Sequence, residues 1–382
     1  MRQGMAGLMD ASEKQAGKLD RSFAARLVAW QKRHGRHTLP WQHTRDAYRI
    51  WLSEIMLQQT QVATVIPYYE RFLGLFPDVF ALANAPLDAV MQCWSGLGYY
   101  SRARNLHKCA KMVVDEYQGV FPSDPALLER LPGIGRSTAA AIAVFSSGVR
   151  AAILDGNVVR VFSRVFGVDD PVSEAQGKKR FWQMAVDLLP DSDIESYTQG
   201  LMDLGATVCT RGRPDCAHCP FSGTCIAFAE DRIDELPVKK AKKTMPIRHV
   251  VMLLVYADDR ILLEKRPASG IWGGLYSLPE ITMDPDGGVA GDEGIASRVR
   301  QKVARWGEME SMTFLSPFVH VFTHFRLHIT PCVVKLVMAE TAVQNDTGIW
   351  QDAATIQTVA LPAAVRKLLD NANRQAGLAF PD

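Results

Sequence analysis

Four cysteines lie close together just past the middle of the chain. Their spacing is Cys209-x6-Cys216-x2-Cys219-x5-Cys225, in a segment that also contains several Gly and Pro residues. Four thiolates at such short spacing can bind one tetrahedral zinc ion or the four irons of a cubane cluster. Because thiols inside cells stay reduced, the spacing predicts a metal site rather than disulfides. Chemistry alone leaves zinc and iron both open.

A glutamate among apolar residues is the second candidate for chemistry. Glu54 lies in the stretch from Ile50 to Val62, which we predict to be one helix because its apolar residues recur at helical spacing. Apolar residues three or four positions away half-enclose the carboxyl, and desolvation should raise its pKa. A solvated glutamate on an amphipathic helix is the alternative. Gln58 and Gln59 follow, with long amide side chains that suit the edges of bases.

A second carboxyl group precedes another predicted helix. Asp155 stands between an apolar run and Gly156, just before a helical stretch from Val158 to Phe166. The simpler interpretation is an N-cap, which a catalytic aspartate can also be. At this polar helix start we expect Asp155 to stay ionised.

A turn rich in glycine, Leu131-Pro-Gly-Ile-Gly-Arg-Ser137, separates two predicted helices. Gly133 and Gly135 permit a tight turn whose backbone N–H groups remain uncovered, and we expect the next helix to begin near Ser137. Such amides, aligned with a helix dipole, form a phosphate site. A purely structural turn between helices is the alternative.

The chain that positions these candidates has 382 residues, of which 47% are hydrophobic and 22% are charged, and its net charge is +2. We predict a polar leader at 1–20, an all-helical domain at 21–226, a charged linker at 227–246 and an α+β domain at 247–376. The helical domain contains a helix-hairpin-helix at 124–147 and the cysteine loop at 209–225. Neither a run of 18 apolar residues nor a secretory signal is present, so we expect a cytoplasmic protein with no membrane segment.

The motifs resemble those of the MutY-type adenine DNA glycosylases, within the helix-hairpin-helix and endonuclease III superfamily. The cysteine spacing matches the family's 4Fe-4S loop, and the Leu-Pro-Gly-Ile-Gly-Arg turn matches its hairpin. The resemblance implies one 4Fe-4S cluster as cofactor. It also implies that Asp155 is catalytic with Asn157 as its orienting partner, and that Leu39-Pro-Trp-Gln42 borders the pocket, although many relatives have Arg at position 42.

The resemblance assigns further residues to DNA. Gln59 and Tyr99 would fill and prop the gap that a flipped base leaves, beside Gln58, while the hairpin residues Gly133, Gly135 and Ser137 would contact the backbone. Bifunctional relatives carry at position 137 a Lys that forms a Schiff base. Ser137 cannot form one, which favours a monofunctional glycosylase.

The C-terminal domain separates this chain from endonuclease III-type enzymes, which end shortly after the cluster. Ser269-Gly-Ile-Trp-Gly-Gly-Leu-Tyr276 resembles a Nudix-like domain, but the clustered glutamates that would bind magnesium are missing from the region around 292–300. The domain is therefore expected to bind rather than hydrolyse. Phe322, Thr323 and His324 match the family's Phe-Ser-His loop for 8-oxoguanine, with Thr in place of Ser.

The implied reaction is hydrolysis of the N-glycosidic bond of adenine paired with 8-oxoguanine or guanine. Glu54 would protonate the base, and Asp155 would stabilise the sugar cation. The expected partner is double-stranded DNA with such mispairs, bound by a monomer associated with the bacterial nucleoid. The alternatives are a bifunctional lyase for oxidised pyrimidines and a lesion-binding protein without catalysis.

Overall fold

A computed structural model describes residues 22–238, 244–283, 292–337 and 348–376. The predicted leader at 1–20 therefore lies outside the described residues. The rest divides into two compact units, one with residues 22–84 and 108–238 and the other with 85–107 and the described residues from 244 onward. The boundaries predicted from sequence, 21–226 and 247–376, remain predictions, since spatial grouping places 85–107 with the later residues.

The first part of the chain is helical, as predicted. The described α-helices up to the linker are α1 (Ser22–His34), α2 (Ala47–Leu57), α3 (Val62–Leu75), α4 (Val79–Asn84), α5 (Leu87–Cys93), α6 (Ser101–Tyr117), α7 (Pro125–Leu128), α8 (Arg136–Ser147), α9 (Gly156–Val165), α10 (Ala175–Asp187), α11 (Ile194–Asp203) and α12 (Ile226–Ala229). A π-helical turn, Leu204–Val208, follows α11, and a 3-10 turn spans Cys216–His218.

The prediction of one helix from Ile50 to Val62 is wrong. Helix α2 ends at Leu57, and α3 begins at Val62. Gln59 between them has a φ of 57°. That left-handed conformation cannot continue an α-helix, and residues in it commonly end one. The break places Gln59 on an exposed turn rather than on a helix face.

Aromatic side chains form the centre of the first unit's core. Phe23 of α1 stacks on Phe221 at 4.5 Å and meets Phe162 of α9 edge-on at 5.8 Å. Phe181 of α10 and Tyr197 of α11 are also fully buried in this cluster. Helix α9, which Asp155 precedes, and helix α8, which carries Ser137, are thus fixed to one core.

The second unit contains the predicted α+β part of the chain. Its strands are β1 (Ile247–Ala257), β2 (Arg260–Lys265), β3 (Tyr276–Ser277), β4 (Glu280–Thr282), β5 (Met309–Phe314), β6 (Phe318–Val321), β7 (Arg326–Leu336) and β8 (Gly348–Asp352), and its later α-helices are α13 (Asp292–Val303) and α14 (Ala363–Ala376). Strands β1 and β7 pair in parallel from Ile247↔Arg326 to Tyr256↔Lys335.

Packing on this sheet follows the alternation of strand side chains. Val251 and Leu253 of β1 are buried against Val299 and Val303 of α13. Strand structure is interrupted between Phe314, where β5 ends, and Phe318, where β6 begins. Pro317 lies between them and has no N–H to donate to a ladder.

Residues 85–107 belong to the second unit by several side-chain contacts. Lys265 of β2 pairs with Asp88 of α5 at 3.0 Å. Arg366 of α14 donates to the Ser95 hydroxyl at 3.2 Å, and that hydroxyl donates to the Leu361 carbonyl at 3.3 Å.

Across the described residues, no helix is long and apolar enough to cross a membrane.

Candidate active site

Helix α2 directs Glu54 into a pocket of about 540 Å³. The side chain of Asp46 caps the helix by accepting from the Tyr48 N–H at 2.9 Å. Ile50 and Leu57, on the same helix face as Glu54, line the pocket, as predicted. A volume in the range of roughly 300–1,000 Å³ is typical of small-molecule sites. We refer to this cavity as the Glu54 pocket.

The carboxyl of Glu54 holds its proton unusually tightly. Burial, and then the negative charge of Asp155, raise its pKa to about 8. Desolvation disfavours the charged form, and a neighbouring negative charge adds to this. The raised pKa expected from the sequence is confirmed, and Glu54 is mainly protonated at neutral pH.

The opposite wall of the Glu54 pocket is a loop fixed by a buried carboxylate. Asp203, which is fully buried, accepts from the Arg36 N–H at 2.9 Å and from Arg36 Nε at 2.7 Å. The Gln42 amide donates to the Arg36 carbonyl at 2.9 Å and accepts from the Leu39 N–H at 3.0 Å. The polar atoms of Gln42 are thus used within the loop. Sequence reasoning missed Asp203, because its partner Arg36 lies 167 positions away.

Asp155 is the N-cap of α9, as the simpler interpretation predicted. One carboxylate oxygen accepts from the Asn157 N–H at 2.9 Å and the Val158 N–H at 2.8 Å. Burial nevertheless raises the pKa of Asp155, while these backbone donors and Arg160 act to lower it. The helix start is thus less polar than the sequence suggested. The negative charge of Asp155 is itself the second cause of the raised pKa of Glu54.

Asn157 contacts Asp155, as the resemblance implied. Its amide donates to the second carboxylate oxygen at 3.3 Å. Arg160, which the sequence analysis did not single out, donates to the Asn157 side-chain oxygen at 2.7 Å and to the carbonyl of Gly205 at 2.6 Å. A Cβ at Gly205 would lie 2.5 Å from the Asn157 Cβ, so the π-helical turn requires glycine there. The three-residue spacing of Asn157 and Arg160 on a helix is the one sequence signal for this contact.

The hairpin lies beside Asp155. Gly133 has a φ of 82°, and Gly135 is the N-cap of α8, which begins at Arg136, one residue before the predicted start. Both glycines are exposed. The Ser137 hydroxyl accepts from the Leu154 N–H at 3.0 Å and so ties α8 to the residue before Asp155. Gly135, Ser137 and Asp155 line one open groove of about 1300 Å³, the Asp155 groove.

The four clustered cysteines line one small cavity with apolar neighbours that include Val161 and Leu204. Donors reach two of their sulfurs: Arg164 Nη1 lies 3.5 Å from Cys209 Sγ, and the Phe221 N–H lies 3.4 Å from Cys219 Sγ. In the described ranges, no three His, Cys, Asp or Glu side chains are grouped so as to hold a single metal ion. A shared cavity with donors to sulfur fits a group bound by four thiolates, whose charge such donors stabilise. No disulfide joins any of the seven cysteines, all of which lie in the described ranges.

The second unit has its own cavity, of about 1210 Å³, around the turn between β6 and β7. Phe322 in this turn stacks on Phe325 at 4.5 Å, and its N–H donates to the Phe325 carbonyl at 2.9 Å. Thr323 and His324 are exposed at the tip. Trp272, 5.5 Å from the Phe322 ring, was not predicted as a site residue although it lies in the glycine-rich segment quoted for the resemblance.

Tyr99 lines the same cavity. Its φ is 49°, and 43% of its surface is exposed. A bulky residue rarely adopts this backbone conformation, and such strain is concentrated at functional sites. Gln59 in the first unit shares both features, although nothing in its sequence context predicted the conformation.

Comparisons with known proteins agree with this arrangement. The family model described as HhH-GPD superfamily base excision DNA repair protein matches residues 52–185, and the NUDIX domain model matches 250–371. A solved thermostable thymine-DNA glycosylase covers 58% of this chain and 100% of its own, with a TM-score of 0.50 and 29% identity.

Curated relatives match nearly the whole chain. The adenine DNA glycosylase of Buchnera aphidicola (subspecies Acyrthosiphon pisum) is 35% identical over 91% of this chain and 97% of its own. That of Homo sapiens is 32% identical over 91% of this chain and 73% of its own. The resemblance inferred from the motifs is confirmed: the chain belongs to the adenine DNA glycosylase family and is a DNA glycosylase, with a helix-hairpin-helix domain followed by a NUDIX-like domain.

Proposed function

We propose that this chain removes adenine paired with 8-oxoguanine or guanine from duplex DNA, by hydrolysis and without cutting the strand. The observation that carries the proposal is the Glu54 carboxyl, whose pKa is raised to about 8 by its burial in the pocket and by the negative charge of Asp155. Paired carboxyl groups with separated pKa values are the means by which enzymes cleave glycosidic bonds at neutral pH.

Glu54 is the general acid in this proposal. A flipped adenine enters the Glu54 pocket and accepts the proton, at N7, which makes the neutral base a leaving group. The apolar residues Ile50 and Leu57 pack against the base, and they keep the carboxyl protonated until it is needed. A positioned general acid contributes about 10²–10⁴-fold to a rate.

Asp155 stabilises the positive sugar that remains. Three hydrogen bonds, from the backbone of Asn157 and Val158 and from the Asn157 amide, hold its carboxylate in one orientation. Burial of this carboxyl, the largest cause of its raised pKa, strengthens the electrostatic stabilisation that its negative charge can give. Water then adds to the sugar and leaves an abasic site.

The absence of strand cleavage follows from Ser137. The Ser137 hydroxyl is engaged with the Leu154 N–H and has no amine with which to form a Schiff base. A lyase of the endonuclease III type would be trapped on DNA by borohydride. We expect no trapped adduct, and strong trapping would contradict the monofunctional proposal.

The remaining sequence-based assignments support this reaction. Gln58, Gln59 and Tyr99 hold the duplex open, the hairpin glycines bind phosphate, and Phe322, Thr323 and His324 recognise the base opposite adenine. Exposure and left-handed backbone at Gln59 and Tyr99 favour the first role. For the last role, Thr323 presents a hydroxyl and His324 a ring at the tip of an aromatic turn.

The four clustered cysteines hold one 4Fe-4S cluster in this proposal, with a structural role in the loop from Cys209 to Cys225. A cluster of this kind colours the protein brown, whereas zinc does not. We expect about four irons per chain. The variant Cys216→Ser should lose both iron and colour. One zinc per colourless native chain would contradict this assignment.

A single-turnover excision assay tests the proposed function. Duplexes with adenine opposite 8-oxoguanine, guanine, cytosine or thymine are incubated with excess enzyme, then analysed with and without alkali. We expect excision opposite 8-oxoguanine and guanine, with breaks only after alkali. Binding without excision on all four duplexes would favour a lesion-binding protein instead.

A further inference from the structure

One face of α10 lines the Asp155 groove. The lining residues recur at helical spacing: Ala175, Lys178, Lys179, Trp182, Gln183 and Val186. The opposite face, with Phe181 and Met184, is buried in the first unit's core. The orientation of the helix is therefore fixed, and its lysines are held on the groove side.

Among the described residues, the two lysines have no counterion. Lys178 and Lys179 are exposed, and no carboxylate of the described residues forms an ion pair with either. Arg180, the next residue, forms an ion pair with Asp170 and does not line the groove. Two uncompensated ammonium groups in one groove favour an anionic ligand.

An arginine joins these lysines to the hairpin. Arg136, the first residue of α8, lies with its guanidinium carbon 3.8 Å from the centre of the Trp182 ring. Trp182 is half-buried and packs on the core, so the ring is a fixed platform. A cation–π contact at an exposed site contributes about 0.5–1 kcal/mol, which favours this placement of the guanidinium by a few-fold.

We propose that this α10 face, defined as Lys178, Lys179 and Trp182 with Arg136 of the hairpin stacked on it, extends the hairpin's contact surface for the DNA phosphate backbone. It rests on the proposed function in that the ligand is the duplex that the enzyme repairs. The surface presents positive charges, and Arg136 covers the ring of Trp182. We therefore expect it to bind phosphates without reading the base sequence.

The salt dependence of binding tests the lysines. Each phosphate contact that is lost lowers the slope of log K against log salt by about 1. We expect Lys178→Gln/Lys179→Gln to bind an undamaged duplex more weakly and with a slope lower by about 2. The matched control, Lys108→Gln/Lys111→Gln, removes two exposed lysines of α6 that line neither the groove nor the pocket, and should keep the native slope.

A double-mutant cycle tests the platform. Arg136→Gln and Trp182→Leu should each weaken DNA binding, and the double variant should lose less than the sum of the two losses, because each single variant already removes the same stacking contact. Circular dichroism and Tm of each variant establish that it is folded. Additive losses, or a native slope in the double lysine variant, would overturn the proposal.

Excision of adenine opposite 8-oxoguanine, scored on the same preparations, separates this proposal from the proposed function. Excision by the native chain together with an unchanged slope in Lys178→Gln/Lys179→Gln overturns the α10 surface alone. A lowered slope without excision by the native chain supports the surface and overturns the proposed function.

Discussion

Glu54 keeps its proton at neutral pH because burial and the charge of Asp155 both oppose its ionisation. In the unfolded chain the pKa of this carboxyl would be near its ordinary value of 4.5, whereas folding raises that pKa to about 8. Unfolding between these two values therefore releases a proton. The free energy of unfolding therefore falls as pH rises from about 4.5 to about 8. Above pH 8 the full cost of ionising the buried carboxyl is present.

Glu54→Gln should therefore raise thermal stability while it removes activity. The glutamine amide cannot ionise, so the variant does not lose stability through a buried charge at high pH. We expect its Tm to exceed that of the native chain by several degrees at pH 8, at about 2–4 °C per kcal/mol, and by little near pH 4.5. Scanning calorimetry at both pH values checks this. An equal difference in Tm at both would show that the carboxyl is not the cause.

At the scale of elements, two aspartates that flank or end α11, its N-cap Asp193 and its last residue Asp203, differ in burial. Asp203 at its C-terminal end is fully buried and holds the loop that borders the Glu54 pocket. Asp193 at its N-terminal end pairs with Lys32 at 2.6 Å, with both side chains about half exposed. The two positions form a matched pair for mutation.

Asp203→Asn should destabilise the first unit by about 3 kcal/mol, because it leaves Arg36 without its buried counterion. Asp193→Asn should cost under about 1 kcal/mol, since exposed ion pairs contribute little. Urea unfolding monitored by tryptophan fluorescence measures both. Similar losses in the two variants would mean that burial does not distinguish these ion pairs.

Much of the element order could be predicted from sequence, because apolar residues at helical spacing mark a buried face wherever the partner lies. The helical stretch predicted from Val158 to Phe166 is observed as α9, Gly156–Val165. The break between α2 and α3 could not be predicted, since Gln59 is neither Gly nor Asn and its left-handed backbone goes against its own preference. The predictions failed where the local conformation is unusual for the residue type.

Within the candidate site, the sequence predicted the two carboxyl groups but not what holds them. Glu54 and Asp155 lie in motifs of only a few residues, so spacing and resemblance were sufficient to find them. Asp203 with Arg36 and Arg160 with Gly205 pair across more than 40 positions. Such contacts depend on how the helices pack against one another, and a local sequence pattern does not predict that packing.

At the scale of the whole molecule, the proposal divides two tasks between the two units. The first unit contains both carboxyl groups, and the second contains the turn with Phe322, Thr323 and His324. Chemistry and the identity of the opposite base should therefore be separable by mutation.

His324→Ala should lower the preference for 8-oxoguanine over guanine opposite adenine, by about tenfold for each 1.4 kcal/mol of lost contact. The rate of excision opposite guanine should change less, because the carboxyl groups proposed for the chemistry lie in the first unit. The ratio of single-turnover rate constants on the two duplexes measures the preference. His328→Ala, on β7 outside the turn, is the control. An unchanged ratio for His324→Ala would remove this residue from recognition.

The most direct test of the account is the pH dependence of single-turnover adenine excision, opposite 8-oxoguanine, by the native chain and by Glu54→Gln. The native rate constant should be highest below pH 8 and fall above it, as Glu54 loses its proton. Glu54→Gln should be slower by about 10²–10⁴ and should not show that fall. A variant as fast as the native chain, or a native rate that rises through pH 8, would contradict Glu54 as the acid.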